Sequence, residues 1–383
     1  MSSPRPPDSF PQRPPLTEQL AQRVAYVPVT YVLLAANILV FVVMLGYGAD
    51  IWHTTNNVQL AWGANFGPAT KDGEWWRLGS ALFLHFGLLH LAMNMLSLWD
   101  GGRLVERMYG PGRFVLIYFC SGLSGNLLSL IAQGDRAVSG GASGAIFGVY
   151  GALMVFLLRE RRRLNSSEFK WLFWGAVGFS AVTIGLGLQI TGIDNAAHIG
   201  GLLAGILTGA ALSRPFGARA SFWRSRGLAA GVLAACLAYL ITHIPEPRYR
   251  WSEELLARGE ISEFIGEDAR ISARWGAILN QAQKENTSFD DLAGRIETEV
   301  SSPYAQSFEQ LAKLRLGAAA PSAAALANLR SYAEIRRDAS RELVEGLRAK
   351  DPVRIREALE LATKAPSQSK PPPTKPGDGA NTR

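Results

Sequence analysis

Seven stretches of apolar, nearly uncharged sequence dominate the middle of this chain, at 29–47, 84–104, 114–131, 139–158, 171–190, 196–212 and 228–244. Each approaches the ~20 residues that an α-helix needs to cross the hydrocarbon core of a bilayer. Inside lipid every backbone N–H and C=O must find a partner, and runs of this length meet that demand as helices. The expected fold class is therefore all-α: a polytopic membrane helix bundle of seven transmembrane helices. The mean hydropathy of the 383 residues is only +0.07, so the two ends must be polar.

They are. Residues 1–26 are rich in Pro and polar side chains, carry Arg5 and Arg13, and read as a disordered leader. The first apolar run lies behind this leader and ahead of further spans, which marks it as a retained anchor and not a cleaved signal. From 245 the pattern turns soluble: 253–264, 289–300, 308–316 and 323–347 show helical apolar periodicity among dense Glu and Arg. The expected organisation is a leader (1–26), a six-helix core (27–213), a link with the seventh helix (214–244), a soluble helical C-terminal domain (245–365) and a disordered tail (366–383).

The net charge of +7 is not a nucleic-acid footprint, because the cations cluster between spans. Arg103, Arg107 and Arg113 follow the second run, Arg159, Arg161, Arg162, Arg163 and Lys170 the fourth, and Arg214, Arg219, Arg224 and Arg226 the sixth. By the positive-inside rule these connections and the N-terminus face the cytoplasm, and the seventh helix carries the C-terminal domain to the opposite side. Cys120 and Cys236 both sit in apolar runs, so no disulfide framework is expected.

Polar residues inside spans face protein or a water-filled cavity. Asn37 reads as an interhelical hydrogen-bonder, and Ser121, Ser124, Gly125 and Asn126 as a packing surface. Glu106 lies among arginines at the end of the second helix, where an ion pair would join helix ends. The second run carries His90 and Asn94 at i, i+4, with His85 near its mouth and Ser97 beyond. A packing hydrogen bond accounts for any one of these taken alone. The fourth run opens on Gly141-Ala142-Ser143-Gly144, with Phe147 one turn after the serine. The sixth carries His198 in one stripe with Gly201, Gly205 and Gly209, so His198 lies on a face that can press closely against a partner. Ser143, His198 and the His90/Asn94 pair all stand near the non-cytoplasmic ends of their helices, and independent packing polars have no reason to agree in depth.

Such a convergence has a chemistry. A serine hydroxyl becomes a nucleophile when a neutral imidazole takes its proton, and Ser143 and His198 supply that pair. Asp194 is near in sequence but on the loop side, so a dyad is expected, with Phe147 stacking on His198. The oxyanion of an attacked carbonyl needs donors already in place; the candidates are Asn94, His90 and the Ser143 N–H. Metal binding by His85, His90 and His198 would want more carboxylate or thiolate nearby, so no metal is expected, and no cofactor. A transporter would want repeated halves and charged mid-membrane residues, which are missing from the sequence.

Trp76-Arg77, His90-Leu-Ala-Met-Asn94, Gly102-Arg103-Leu-Val-Glu106, Gly141-Ala-Ser143-Gly144 and Ala197-His198-Ile-Gly200-Gly201 together resemble, in order and spacing, the rhomboid intramembrane serine proteases. The resemblance spans about 29–214. It implies Ser143 as nucleophile, His198 as base, and His90, Asn94 and the Ser143 N–H as oxyanion hole, supported by Gly141, Gly144 and Phe147. Trp76, Arg77, Arg103, Glu106 and Gly201 take structural roles. It also implies partners that are single-pass transmembrane substrates, cut near the outer boundary of a bacterial inner (plasma) membrane. Phe147 departs from the Tyr of many relatives, keeping the ring and losing a hydroxyl. The alternative is an inactive rhomboid-like protein that binds membrane clients; the intact Ser143 and His198 disfavour it.

Overall fold

A computed structural model describes residues 15–214, 223–285 and 287–364. The expectations for 1–14, for 215–222 with Arg219, and for the tail from 365 fall outside the described residues. The chain forms two compact units, Met1–Glu246 and Pro247–Arg383, and the first is an integral multi-pass helix bundle.

That unit begins with a helix inside the expected disordered leader, α1 (Leu16–Arg23). Leu16 and Leu20, spaced i, i+4, are each 1% exposed and join the bundle core. Composition hid them because two leucines among prolines do not raise a hydropathy average. The first span, α2 (Pro28–Gly46), has proline at its first position, where the missing N–H costs nothing. Its Asn37 donates to Leu33 O of its own helix at 2.8 Å and also meets the Tyr118 hydroxyl of a neighbouring span.

The Trp-rich connection folds into α3 (Asn56–Ala61), a strand β1 (Asn65–Phe66), α4 (Gly67–Lys71) and α5 (Arg77–Ser80). The second span starts later than its apolar run: α6 (Leu88–Ser97) continues through a π turn (Leu98–Gly102) into α7 (Arg103–Tyr109). Hydropathy stops at Asp100 and Arg103, but a helical backbone tolerates charge once it reaches the headgroups. Taken with Arg77–Phe83, from which it is bent by 91°, this stretch makes a seventh candidate span beside six straight ones. The others are α8 (Pro111–Gln133), α9 (Ser143–Glu160), α10 (Ser166–Gly187), α11 (Asn195–Leu212) and α12 (Trp223–Thr242); a strand β2 (Val138–Ser139) before α9 pairs antiparallel with β1.

Small residues let α11 lie between α8 and α9 with backbones touching. A Cβ at Gly201 would fall on Gly144, at Gly205 on Gly148, at Gly209 on Ala152, and at Gly200 on Gly125 of α8. The Tyr109 hydroxyl closes the far end of this contact, donating to Ala152 O at 2.9 Å. In contrast, α10 buries only Ala176 and Ser180, and α12 only Ala229.

Glu106 is fully buried, but not in the expected ion pair. Its carboxylate accepts from Val29 N (3.0 Å), Thr30 N (2.8 Å) and Thr30 Oγ1 (2.7 Å), capping the N-terminus of α2. Those donors have no intrahelical acceptor, and the helix dipole favours a negative charge there.

The second unit contains α13 (Trp251–Glu285), α14 (Phe289–Ile296), a π turn leading into α15 (Ser302–Lys313), α16 (Ala323–Arg348) and α17 (Pro352–Lys364). The helix expected at 253–264 runs on to Glu285, since Ile271, Trp275 and Ile278 extend its buried face. Asp268 is buried and accepts both the Tyr304 hydroxyl (2.8 Å) and the Tyr332 hydroxyl (2.9 Å). Arg336 stacks over Trp275 and donates to the Tyr304 oxygen at 3.1 Å.

Candidate functional site

Ser143 is the first residue of α9, so its N–H has no acceptor within the helix. The turn before it needs Gly141, whose φ of +141° L side chains rarely adopt, and whose N–H donates to Ala81 O at 2.8 Å. A Cβ at Gly141 would also stand 3.0 Å from His90 Cε1 and 3.1 Å from His90 Nε2. Only a bare backbone fits between the histidine and the serine turn.

His198 sits in the first turn of α11, 5% exposed, and its Nε2 lies 2.9 Å from Ser143 Oγ. The Gly201–Gly144 contact sets that distance, because it holds the two helices together beside Ser143 and one turn from His198. The imidazole stacks on Phe147 with ring centroids 4.4 Å apart and planes 9° from parallel. Its Nδ1 has no protein partner among the described residues. Asp194, four residues earlier, makes no hydrogen bond to the ring. That carboxylate caps α11 by accepting from Ala197 N at 3.0 Å and takes the hydroxyls of Ser129 and Ser139. Its role as a cap was legible in the Asp-Asn-Ala-Ala start of α11; its serine partners, on other elements, were not.

His90 and Asn94 come from α6, whose start hangs from the first connection. Leu88 N donates to Ile51 O (2.7 Å), Thr54 N to Phe86 O (2.8 Å) and Gln59 Nε2 to His85 O (2.8 Å). Asp50 pins the turn at 51–53, and the backbone N–H groups of His53 and Trp52 hold its carboxyl below the usual range. The His90 ring meets His85 edge-on at 5.2 Å, and its Nδ1 accepts from Phe86 N at 3.5 Å. Asn94 is buried and spends one amide N–H on His90 O at 2.8 Å, leaving the other to donate. The structure thus gathers Ser143, His198, Gly141 and His90 around one turn, with Gly144 and Phe147 beneath.

The remaining sequence candidates stand apart from that turn. Arg77 is buried and donates to Leu60 O (2.7 Å) and Ala64 O (3.2 Å), while pairing with Glu74; it fastens α3 and the residue before β1 to α5. Trp76 is half exposed and leans on Gly63. Arg103 lies over the Trp99 ring at 3.6 Å and donates to Trp99 O. Sequence reasoning missed Phe179 of α10, whose ring stands 5.6 Å from Phe147 and 4.3 Å from Tyr150.

Residues 72–215 match the model of the Rhomboid domain. The chain is 30% identical over 201 residues to rhomboid protease AarA of Providencia stuartii, an alignment covering 47% of this chain and 71% of AarA. The chain belongs to the rhomboid family. It is also 35% identical over 255 residues to rhomboid protease GluP of Bacillus subtilis, covering 63% of this chain and 47% of GluP. With RHOMBOID-like protein 9, chloroplastic, of Arabidopsis thaliana it shares 35% identity over 156 residues, 40% of this chain and 35% of that one. The chain therefore spans about half or less of these two relatives' lengths. Its rhomboid domain contains α6–α11 with both members of the Ser143–His198 pair, whereas the second unit lies beyond the domain match.

Proposed function

We propose that this rhomboid is an intramembrane serine endopeptidase that cuts single-pass membrane proteins near the outer boundary of the bacterial plasma membrane. The observation that carries the reading is the 2.9 Å contact between Ser143 Oγ and His198 Nε2 inside a helix bundle. Ser143 Oγ attacks the scissile carbonyl while His198 Nε2 takes its proton, and the imidazolium then returns that proton to the leaving amine. The oxyanion takes hydrogen bonds from the Ser143 N–H, the free amide N–H of Asn94 and His90 Nε2. An acyl-enzyme remains on Ser143, and water, activated by the same imidazole, releases it. The N-terminus and the Arg-rich connections face the cytoplasm, and the second unit lies on the opposite side.

The test is cleavage of a single-pass substrate in liposomes by the wild type and by Ser143→Ala. Cleavage by the wild type alone supports the serine mechanism. Equal cleavage by both rejects Ser143, and client binding without cleavage by either favours an inactive, client-binding rhomboid.

A further inference from the structure

The orientation of His198 is under-determined by polar contacts. Its Nε2 meets Ser143, its Nδ1 has no protein partner among the described residues, and the nearest carboxylate in sequence is committed to capping and to two serines. What fixes the ring plane is the Phe147 face, nearly parallel at 4.4 Å. Phe147 is fully buried and is itself held from a second helix: the Phe179 ring of α10 packs on it at 5.6 Å and 41°, and stacks on Tyr150 at 4.3 Å and 23°. Phe147 and Tyr150 are three residues apart on α9, so Phe179 leans against both from the neighbouring helix. The chain of rings runs from α10 through α9 to the imidazole on α11.

We propose that Phe179 is a positioning residue for the His198 imidazole, acting through Phe147; this rests on the serine-protease reading of the site. The consequence follows from how few residues of α10 are buried. Only Ala176 and Ser180 of its 22 residues are buried, and Trp171 and Trp174 point outward. Its inner end is tied by Glu168, which accepts from Leu16 N of α1 at 2.9 Å, and its outer end by Asn195, which donates to Ile184 O at 3.1 Å. A displacement of α10 withdraws Phe179 and lets Phe147 and the imidazole relax together. The base is aligned when α10 is seated and loosened when it is not.

The reporter is the second-order rate at which a small fluorophosphonate labels Ser143 in the full chain, reconstituted in liposomes. The serine oxygen displaces fluoride from phosphorus while His198 accepts the serine proton, so no substrate helix has to enter. Phe179→Leu should slow labelling about three- to tenfold, the rate equivalent of one aromatic pair, and Phe179→Tyr, which keeps the ring, should stay within about twofold. With a peptide substrate, kcat should fall and KM hold. Phe147→Leu should also slow labelling, and adding Phe179→Leu to it should slow it no further, because the second residue acts only through the first. Effects that multiply in the double variant, or wild-type labelling by Phe179→Leu, would overturn the proposal. Should Phe179→Leu fail to fold, Phe179→Met carries the same comparison. Failure of the wild type to label, or equal labelling of Ser143→Ala, instead brings down the serine-protease reading itself.

Discussion

Replacing Gly201 by alanine makes one methyl group push against a backbone. A Cβ at Gly201 would fall on the carbonyl oxygen of Gly144 and stand 2.7 Å from its carbonyl carbon. Ordinary contact begins at 3.4 Å, so α11 must withdraw from α9 by at least 3.4 − 2.7 = 0.7 Å. His198 lies one turn before Gly201 on the same face, and Ser143 adjoins Gly144, so the withdrawal reaches the pair almost undiminished. The 2.9 Å contact then opens to at least about 3.6 Å, beyond hydrogen-bond reach. Overpacking of this kind costs about 1–3 kcal/mol of stability, and loss of the base contact about 10²- to 10⁴-fold in rate. The assay is fluorophosphonate labelling of Ser143 in liposomes, read beside thermal unfolding. Gly231→Ala on α12 is the control, because its Cβ would meet nothing within 4 Å. A folded Gly201→Ala that labels at the wild-type rate would refute the claim that the glycine contact sets the distance between serine and histidine.

Glu106→Ala leaves three buried donors at the start of α2 without an acceptor and should cost about 2 kcal/mol or more in thermal unfolding; Arg103→Ala, which removes a cation–π contact, should cost under about 1 kcal/mol, and equal losses would contradict the capping role. Asp194→Ala should destabilise by about 1 kcal/mol through its lost cap while keeping labelling within about tenfold of wild type; a variant as dead as His198→Ala would make the site a triad. Leu20→Asp puts a charge where a leucine is 1% exposed, and should release α1 and lower the thermal midpoint; an unchanged midpoint would mean that α1 contributes nothing to the bundle. In the second unit, burial and the neighbouring Asp268 raise the Tyr332 hydroxyl above its ordinary value of about 10. The unfolded chain then loses that proton first, so stability is complete at neutral pH and declines as pH rises past about 10. Hydrogen exchange across α13 and α16 should show this decline, and Tyr332→Phe should flatten it; an identical pH slope in the variant would assign the decline to other groups.

What was legible in the sequence was whatever depends on periodicity and depth. The spans were readable because lipid leaves an apolar run few alternatives to a helix. The Ser143–His198 contact was readable because both residues stand on helices whose glycines can meet. What was not legible depended on which face meets which neighbour. Glu106 stands among arginines in sequence, but its partners are N–H groups some 76 residues earlier, and no local pattern encodes a long-range cap. The bracing of α6 by the connection before it follows the same rule, since Ile51 O, Phe86 O and His85 O are backbone acceptors that any residue would supply.

Phe179 shows why an apolar helix hides its own function. Phe169, Trp171, Phe173, Trp174 and Phe179 wind around α10, and with lipid outside and protein inside both apolar, hydrophobic periodicity does not say which ring faces α9. In a soluble helix the polar face would have answered. Here the answer comes only from packing, and it changes how the base is understood. A buried carboxylate would hold an imidazole by a directional bond that survives small shifts of a neighbouring helix. A stacked ring holds it only while that ring is itself supported. On the proposed mechanism, committing Asp194 to the end of α11 and leaving His198 to Phe147 would make alignment of the base depend on where α10 sits.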